Sequence, residues 1–441
     1  MTHSVRGHMK FIDNKGYVGI IVRKPWRYFQ SDSLFRNSVY LMLSTGVMAG
    51  LGFFFWLINA KLFSAEQIGL ATTLISTMTL IGSFSLLGTD IGIIRYLPKS
   101  MNKSKIINTC LTITVFVSIS ISIIFLLGLK IFSPRLLFIK ENPYYLLLFI
   151  LFMSFATSNI LIESIFIAFR NAKFILIKNT IFSVLKLIFP FILVTLGSYG
   201  IFSSWMTALI ISLVVGFIIL VKKFGYTPQI ALHTSIVKEI GRYSFGNYIS
   251  GFIYGLPTMV LPLIITNMVS PETTAHYYMA MMIANLLFII PGAITQSLFA
   301  EGSHDEKELK QHIEKAIKMI TLILIPAIIV TIFFGNYILL AFGENYSDEG
   351  FRFLQILALS GVFISINSIF GTILRVKREI RKIIFMNFLE TLLVLGLSYL
   401  LISKGLLGIG LAWISGHSIT SLFYLMIWFL LYFDKSISSP S

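Results

Sequence analysis

Gly197-Ser-Tyr-Gly-Ile-Phe-Ser-Ser-Trp205 recurs as Gly405-Leu-Leu-Gly-Ile-Gly-Leu-Ala-Trp413. Both stretches read G-x-x-G-I-x-x-x-W, and they lie 208 residues apart. The correspondence reaches outward from them. Arg36 precedes Ser64-Ala65-Glu66 by 28 residues, and Arg242 precedes Ser270-Pro271-Glu272 by the same 28. Ser164-Ile-Phe166 returns as Ser368-Ile-Phe370, and Asn179 as Asn387. A duplication at half length in an apolar chain points to a transporter of two lobes with a site between them.

Composition says what surrounds those lobes. The 441 residues are 56% hydrophobic and only 12% charged. A water-soluble domain carries about a quarter charged residues, so lipid is the main solvent of this chain. The net charge of +16 does not mark a nucleic-acid binder, because the cations fall in connections rather than in a stripe on one folded surface. Cys110 is the lone cysteine and lies in an apolar segment, which excludes an intramolecular disulfide. Tyr17 to Val22 is too short an apolar run for a cleavable signal and is basic on both flanks. The segment Lys10 to Arg36 fits either an interfacial segment on an anionic leaflet or a basic cytosolic tail.

A spanning helix needs about 20 apolar residues. The pattern predicts twelve, at 37–60, 68–94, 107–129, 144–168, 174–196, 200–221, 243–267, 275–299, 316–334, 352–374, 383–403 and 408–432. The expected organisation is a basic cytosolic segment (1–36), an N-lobe of six helices (37–221), a cytosolic linker (222–242), a C-lobe of six (243–432) and a tail (433–441). An even number per half makes the repeat parallel and puts both termini on one side. With the N-terminus inside, 27 of the 35 Lys and Arg fall in inner segments and six in outer loops. Positive charge is retained inside, so both termini are expected in the cytosol of a cell-membrane protein. The outer connections, near 130–143 and 335–351, are too short for an extramembrane platform.

Ionisable groups inside a span cost about 2.5–3.5 kcal/mol each on insertion scales, which directs attention to a few positions. Lys186 sits near the middle of the fifth span, and Pro190 four residues on removes the hydrogen bond to the Lys186 carbonyl. A midplane cation on a broken helix suits an anion pathway. Lys178, two turns earlier, reads either as a second cation on that face or as an anchor at the inner end. Asp90 and Arg95 close the second span in Gly88-Thr-Asp-Ile-Gly-Ile-Ile-Arg-Tyr-Leu-Pro98. Asp90 is a coupling carboxylate or half of an ion pair. Glu163 reads as a coupling group or as the partner of Lys178. Glu390 lies at mid-depth in the eleventh span with no cation nearby in sequence, the pattern of a coupling group. Arg36 and Arg242 open the two half-repeats and read either as ordinary membrane anchors or as flanking an inward vestibule, where a planar guanidinium suits phosphate. Gly255, Pro257 and Pro262 mark the seventh span for bending, as Pro190 does the fifth. His276 and His417 are isolated, no Cys/His cluster has metal spacing, and no nucleotide-binding loop or nucleophile elbow is present. Neither a metal, a cofactor nor an enzymatic step is therefore expected.

Three stretches carry a family resemblance. They are Arg36 to Pro98, with Phe63-Ser-Ala-Glu-Gln-Ile-Gly69 and Ile94-Arg-Tyr-Leu-Pro98; Leu340-Ala-Phe-Gly-Glu-Asn-Tyr346 with Leu354-Gln-Ile-Leu-Ala-Leu359; and Gly405-Leu-Leu-Gly-Ile-Gly410. Together they resemble the polysaccharide-biosynthesis flippases (Wzx type) of the multidrug/oligosaccharidyl-lipid/polysaccharide exporter superfamily. The resemblance covers nearly all of the chain after residue 30. It implies an all-α membrane protein with two six-helix lobes in a V, open alternately to each side. It also implies a polyprenyl-phosphate- or pyrophosphate-linked oligosaccharide as cargo, membrane lipids as surroundings, and glycosyltransferases or a polymerase of the same pathway as partners. Lys186, Lys178, Arg36, Arg95 and Arg242 are then the candidates to hold phosphate. Two other readings compete: a cation-coupled multidrug antiporter of the same fold, and an integral-membrane polymerase or ligase of lipid-linked sugars.

Overall fold

A computed structural model describes residues 33–304 and 308–437. The expected segment 1–36 therefore lies outside the described residues except for its last four, and so does the end of the expected tail.

Inside a bilayer no water can satisfy a backbone N–H or C=O, so each crossing closes its own hydrogen bonds as a helix. The described chain is a succession of them: α1 (Ser33–Leu62), α2 (Ala65–Leu86), α3 (Thr89–Tyr96), α4 (Lys103–Leu127), a single turn α5 (Leu129–Phe132), α6 (Pro143–Ala168), α7 (Lys173–Ile192) and α8 (Gly197–Phe224). The second half holds α9 (Thr234–Met268), α10 (Pro271–His304), α11 (Leu309–Leu340), α12 (Glu344–Val376), α13 (Ile380–Leu401) and α14 (Gly405–Ile437). Eleven apolar stretches are long enough to cross a membrane, and the last, Ile380–Ile427, runs for 48 residues. As one helix it would measure about 72 Å, against a hydrocarbon core of about 30 Å. It is in fact α13 and α14, packed on each other across a turn at 402–404. The described residues thus form twelve crossings.

The repeated motif has a backbone cause. Gly197 and Gly405 both open the last helix of their half at φ +57° and +62°, a conformation essentially confined to glycine. At Gly200 and Gly408 a Cβ would overlap the carbonyls of Leu193 and Leu401. Two glycines three apart therefore make the same tight return into α8 and α14. The Ser-x-Glu element is a helix start. Ser64 and Gln67 form a capping box at α2, and Ser270 accepts from the Thr273 N–H at the start of α10. Another pair is visible only in the backbone. Arg170 and Arg378, 208 residues apart, both stand at positive φ, +53° and +60°. Each lies in a turn closed by the next residue's N–H: Asn171 onto the Phe166 carbonyl, Glu379 onto that of Leu374.

Some boundaries differ from expectation. The second expected span breaks at Leu87–Gly88, both left-handed, so Asp90 starts the separate helix α3. The expected linker 222–242 is mostly helix, because α8 runs to Phe224 and α9 begins at Thr234. What remains is strapped to α4. Tyr226 donates to Asn108 Oδ1, Asn108 donates to the Thr227 carbonyl at 3.0 Å, and His233 Nδ1 meets Thr109 Oγ1 at 3.1 Å.

α1–α8 pack mainly among themselves, as do α9–α14, and the halves meet chiefly where α9 and α10 cross α2 and α3. We call the end where α1 begins the basic end. At the opposite end the halves are shut. Gly69 lies against the Pro271 carbonyl with no room for a side chain, and Thr73, Thr266 and Thr274 form a hydroxyl chain at 2.5 and 2.7 Å. Trp56 packs on Tyr278, and Phe53 on Phe342. On the α9 side the closure runs to the basic end: Gly88 abuts Ser244, Gly92 abuts Ile240, and the Tyr248 hydroxyl donates to the Ser83 carbonyl. On the α1–α10 side the halves part. Gly46 and Gly50 face open space, and Met42 on α1 and Leu286 on α10 are 72% and 52% exposed.

Gly200→Ala and Gly408→Ala should each destabilise the protein by about 1–3 kcal/mol, the range for overpacking a tight site. Thermal loss of the monodisperse detergent-solubilised peak measures this; unchanged midpoints in both variants would refute the account of the motif.

Candidate functional site

Among the polar groups inside the described bundle, three gatherings bear on a site. The first is a central cavity of about 360 Å³ between the halves, bounded by α1, α2, α9 and α10. Phe53, Ser76, Thr79, Thr258, Tyr278 and Asn285 face it. Among the described residues no Lys, Arg, Asp or Glu lines it. The five expected phosphate-holding cations are therefore not brought together there.

The second place is the interior of the first half. Lys178 is buried in α7, and its ammonium donates to Asn159 Oδ1 at 2.7 Å, Glu163 Oε1 at 2.8 Å and Asn179 Oδ1 at 3.0 Å. Those bonds use all three of its donors. Asn179 in turn donates to Ser44 on α1, and Ser212 on α8 donates to the Lys178 carbonyl. This network ties α1, α6, α7 and α8 together. Two turns along α7, Lys186 is treated differently. Its Nζ lies 4.8 Å from the ring centres of Phe182 and Trp205 and 5.7 Å from that of Phe55. Among the described residues it makes no ion pair. A cation on ring faces is held by their quadrupoles, and Trp205 is the tryptophan of the repeated motif. Pro190 follows within the last turn of α7.

The third place is a cleft in the second half. Its inner part, about 410 Å³, is faced by Tyr254, Asn367, Asn387, Glu390, His417 and Tyr424. Its outer part, about 460 Å³, shares Tyr254, Arg375 and Asn387 and adds Arg378 and Asn247 at the basic end. Glu390 accepts from Asn367 Nδ2 at 3.1 Å and lies 3.5 Å from His417 Nδ1. That contact is an ion-pair distance and not a hydrogen bond, and neither His417 nitrogen has a hydrogen-bond partner among the described residues. Trp413, the other motif tryptophan, packs on His417 at 4.9 Å. Asn387 donates to Ser250, as its repeat mate Asn179 donates to Ser44.

The remaining expected residues stand apart from these places. Arg36 begins α1, Arg242 is exposed on α9, and Arg95 is exposed on α3 with its guanidinium 5.8 Å from the Tyr96 ring centre. Asp90 has one oxygen, Oδ1, buried without a hydrogen-bond partner among the described residues. Gly255, Pro257 and Pro262 lie within α9, which continues through both prolines. Sequence reasoning passed over Arg375, Arg378, Asn367 and His417. The two arginines looked like ordinary inner-loop charge, and His417 lies 27 residues from Glu390. The repeat was the usable signal, since Asn387 is the mate of Asn179.

Breaking the Lys178 network should cost stability. Glu163→Gln strands a buried ammonium, and the loss expected is about 3 kcal/mol, the low end for buried pairs because Glu163 is 31% exposed. Lys178→Met with Glu163→Leu should recover part of it. Thermal melts of the three variants and wild type test this; equal melts for Glu163→Gln and wild type would exclude a structural ion pair.

The pattern of the family described as polysaccharide biosynthesis protein matches residues 34–299, and that of the MatE family matches residues 248–400. A Shigella flexneri protein assigned as an O-antigen transporter is 27% identical over 177 residues, which is 39% of this chain and 42% of that one. The alignment thus spans less than half of that relative. Among solved structures, the lipid II flippase MurJ in an inward closed conformation superposes with a TM-score of 0.71 at 16% identity, covering 88% of this chain and 87% of that one. An inward-facing MATE-family multidrug transporter of the MOP superfamily gives 0.70 at 15% identity, covering 91% and 100%. At such identities the likeness is one of fold, and it is the two-lobed fold described above.

Proposed function

The chain belongs to the polysaccharide biosynthesis protein family, and from that membership we propose that it is a flippase for a glycan carried on a polyprenyl phosphate or pyrophosphate. It moves the glycan from the cytosolic to the outer leaflet by alternating access. One observation carries the reading: the halves are sealed at one end and part at the basic end, on the α1–α10 side. A cavity that opens both to water and sideways to lipid accepts a polar headgroup while its tail stays in the bilayer. An enclosed aqueous pore would not. We take the basic end as the cytosolic one, because positive charge is retained inside; on this reading both termini are cytosolic and the protein lies in the cell membrane. Glycosyltransferases or a polymerase of the same pathway are the proposed partners. The activity is transport, with no chemistry on the glycan.

The charge of the interior supports an anionic cargo. Among the described residues no carboxylate lines the central cavity, whereas an organic-cation antiporter places acidic groups against its ligand. Lys186 adds positive potential from within the first half, and in a low-dielectric interior such a charge acts over longer range than in water.

Reconstitution in liposomes with a fluorescent polyprenyl-pyrophosphate oligosaccharide tests the proposal. Wild type should expose the probe to a membrane-impermeant quencher on the far leaflet. Lys186→Met should slow this by about tenfold, the equivalent of 1.4 kcal/mol, and Lys186→Arg should largely keep it. Proton exchange for an organic cation, without lipid movement, would establish the antiporter reading instead.

A further inference from the structure

We propose that the cleft of the second half is the headgroup site: Arg375 and Arg378 take the phosphate, and Glu390, His417 and Asn387 take the hydroxyls of the sugar next to it. This rests on the flippase reading and says where on the chain the cargo is held.

Position is the first argument. The cleft continues the central cavity along the same two helices. On α10, Ile289 faces the cavity and Gly292 and Gln296 face the cleft; on α9, Thr258 faces the cavity and Tyr254, one turn back, faces the cleft. From there the cleft runs past Asn387 to Arg378 at the basic end. A headgroup entering from that end meets the arginines first.

Chemistry is the second. Two exposed guanidiniums at the mouth offer planar forks suited to phosphate oxygens. Further in come a carboxylate, an imidazole, three carboxamides and two tyrosine rings. That mixture of acceptors, donors and aromatic faces fits a polyhydroxylated ring. His417 supplies an independent sign of a missing ligand. It is 94% buried, faces the cleft, and both of its ring nitrogens lack a hydrogen-bond partner among the described residues. A buried donor or acceptor left unmade costs about 1–3 kcal/mol, and a sugar hydroxyl at the floor of the cleft would remove that cost.

Size and sign are the third. Each part of the cleft has a volume within the usual range for small-molecule sites, about 300–1,000 Å³, far more than one ion fills. Among the described residues no group of three or more His, Cys, Asp and Glu could hold a metal. The arginines at the entrance oppose cations and favour anions.

The first half has the same frame and no such ligand set. The repeat position of Asn367 is Glu163, closed onto Lys178, and that of Glu390 is Phe182, packed on the Lys186 ammonium. The duplicated fold thus presents one filled interior and one open one, and a single headgroup is received on the open side.

The test is binding by the full chain in nanodiscs, read by calorimetry with three probes: farnesyl diphosphate, farnesyl-diphospho-N-acetylglucosamine and free N-acetylglucosamine. Wild type should bind the diphospho-sugar most tightly. Arg375→Gln and Arg378→Gln should each weaken both diphosphates about tenfold, with Arg→Lys intermediate. Glu390→Gln and His417→Gln should weaken the diphospho-sugar by a similar factor, with the effect confined to the probe that bears the sugar. Melting curves show that each variant is folded. Arginine variants that bind and flip like wild type would overturn the site while leaving the flippase reading intact. Equal competition by phosphatidylglycerol, or Na⁺ uptake lost in Glu390→Gln with diphospho-sugar binding untouched, would also overturn it. A wild type that neither binds nor moves any lipid-linked sugar would remove the flippase reading itself.

Discussion

The cost of an unpartnered polar group where no water can reach it governs this structure. It forces each crossing into a helix, and it dictates how each buried charge is lodged. Lys178 receives three acceptors, one of them a carboxylate. Lys186 receives three aromatic faces. Glu390 receives a carboxamide and stands near an imidazole whose nitrogens are left open. These three answers to one constraint separate frame from site. A fully met group holds helices together, and an incompletely met one is available to a ligand.

Duplication supplied the frame twice. The glycine returns before α8 and α14, the capped starts of α2 and α10, the left-handed Arg170 and Arg378, and the bonds from Asn179 and Asn387 to Ser44 and Ser250 recur at matched positions. The first three are backbone or near-backbone features, set by local geometry that both halves must meet, and the Asn–Ser bonds tie the first and fifth crossings of each half together. The groups facing inward have diverged: Glu163 against Asn367, Lys178 against Met386, Lys186 against Val394. Two lobes with one frame can thus keep equivalent backbones while their interiors differ.

Small residues admit close approach at several points of the seam. Gly69 meets the Pro271 backbone, Gly88 the Cβ and carbonyl of Ser244, and Gly92 the Ile240 side chain, where a larger side chain would wedge the seam open. α9 is the shared element. Its first part is strapped beside α4 and docked on α3, its middle is bonded to α13 through Ser250 and Ile253, and its end meets Thr73. Relative motion of the halves has to pass through this helix, and its glycines and prolines lie between those anchorages.

By itself the sequence determined the all-helical membrane class, the twelve crossings, the parallel duplication and the family resemblance. Each follows from quantities local to a stretch of chain: the transfer cost of about 20 residues, or a backbone angle that only glycine adopts. It also marked Lys178, Lys186, Glu163 and Glu390 as charges needing explanation. Only the tertiary structure decided which explanation applies. Lys178 and Lys186 share a helix and a charge, and α7 itself offers each only one neighbour, Asn179 to the first and Phe182 to the second. Glu163 on α6 closes on one, while Phe55 and Trp205, on α1 and α8, enclose the other. Likewise Asn367, Glu390 and His417 meet from three helices, and what marks Arg375 and Arg378 among the cations of the basic end is the cleft beside them. A pairing energy falls off within a few ångströms, so it depends on which distant segments fold together, and no local pattern in the chain records that.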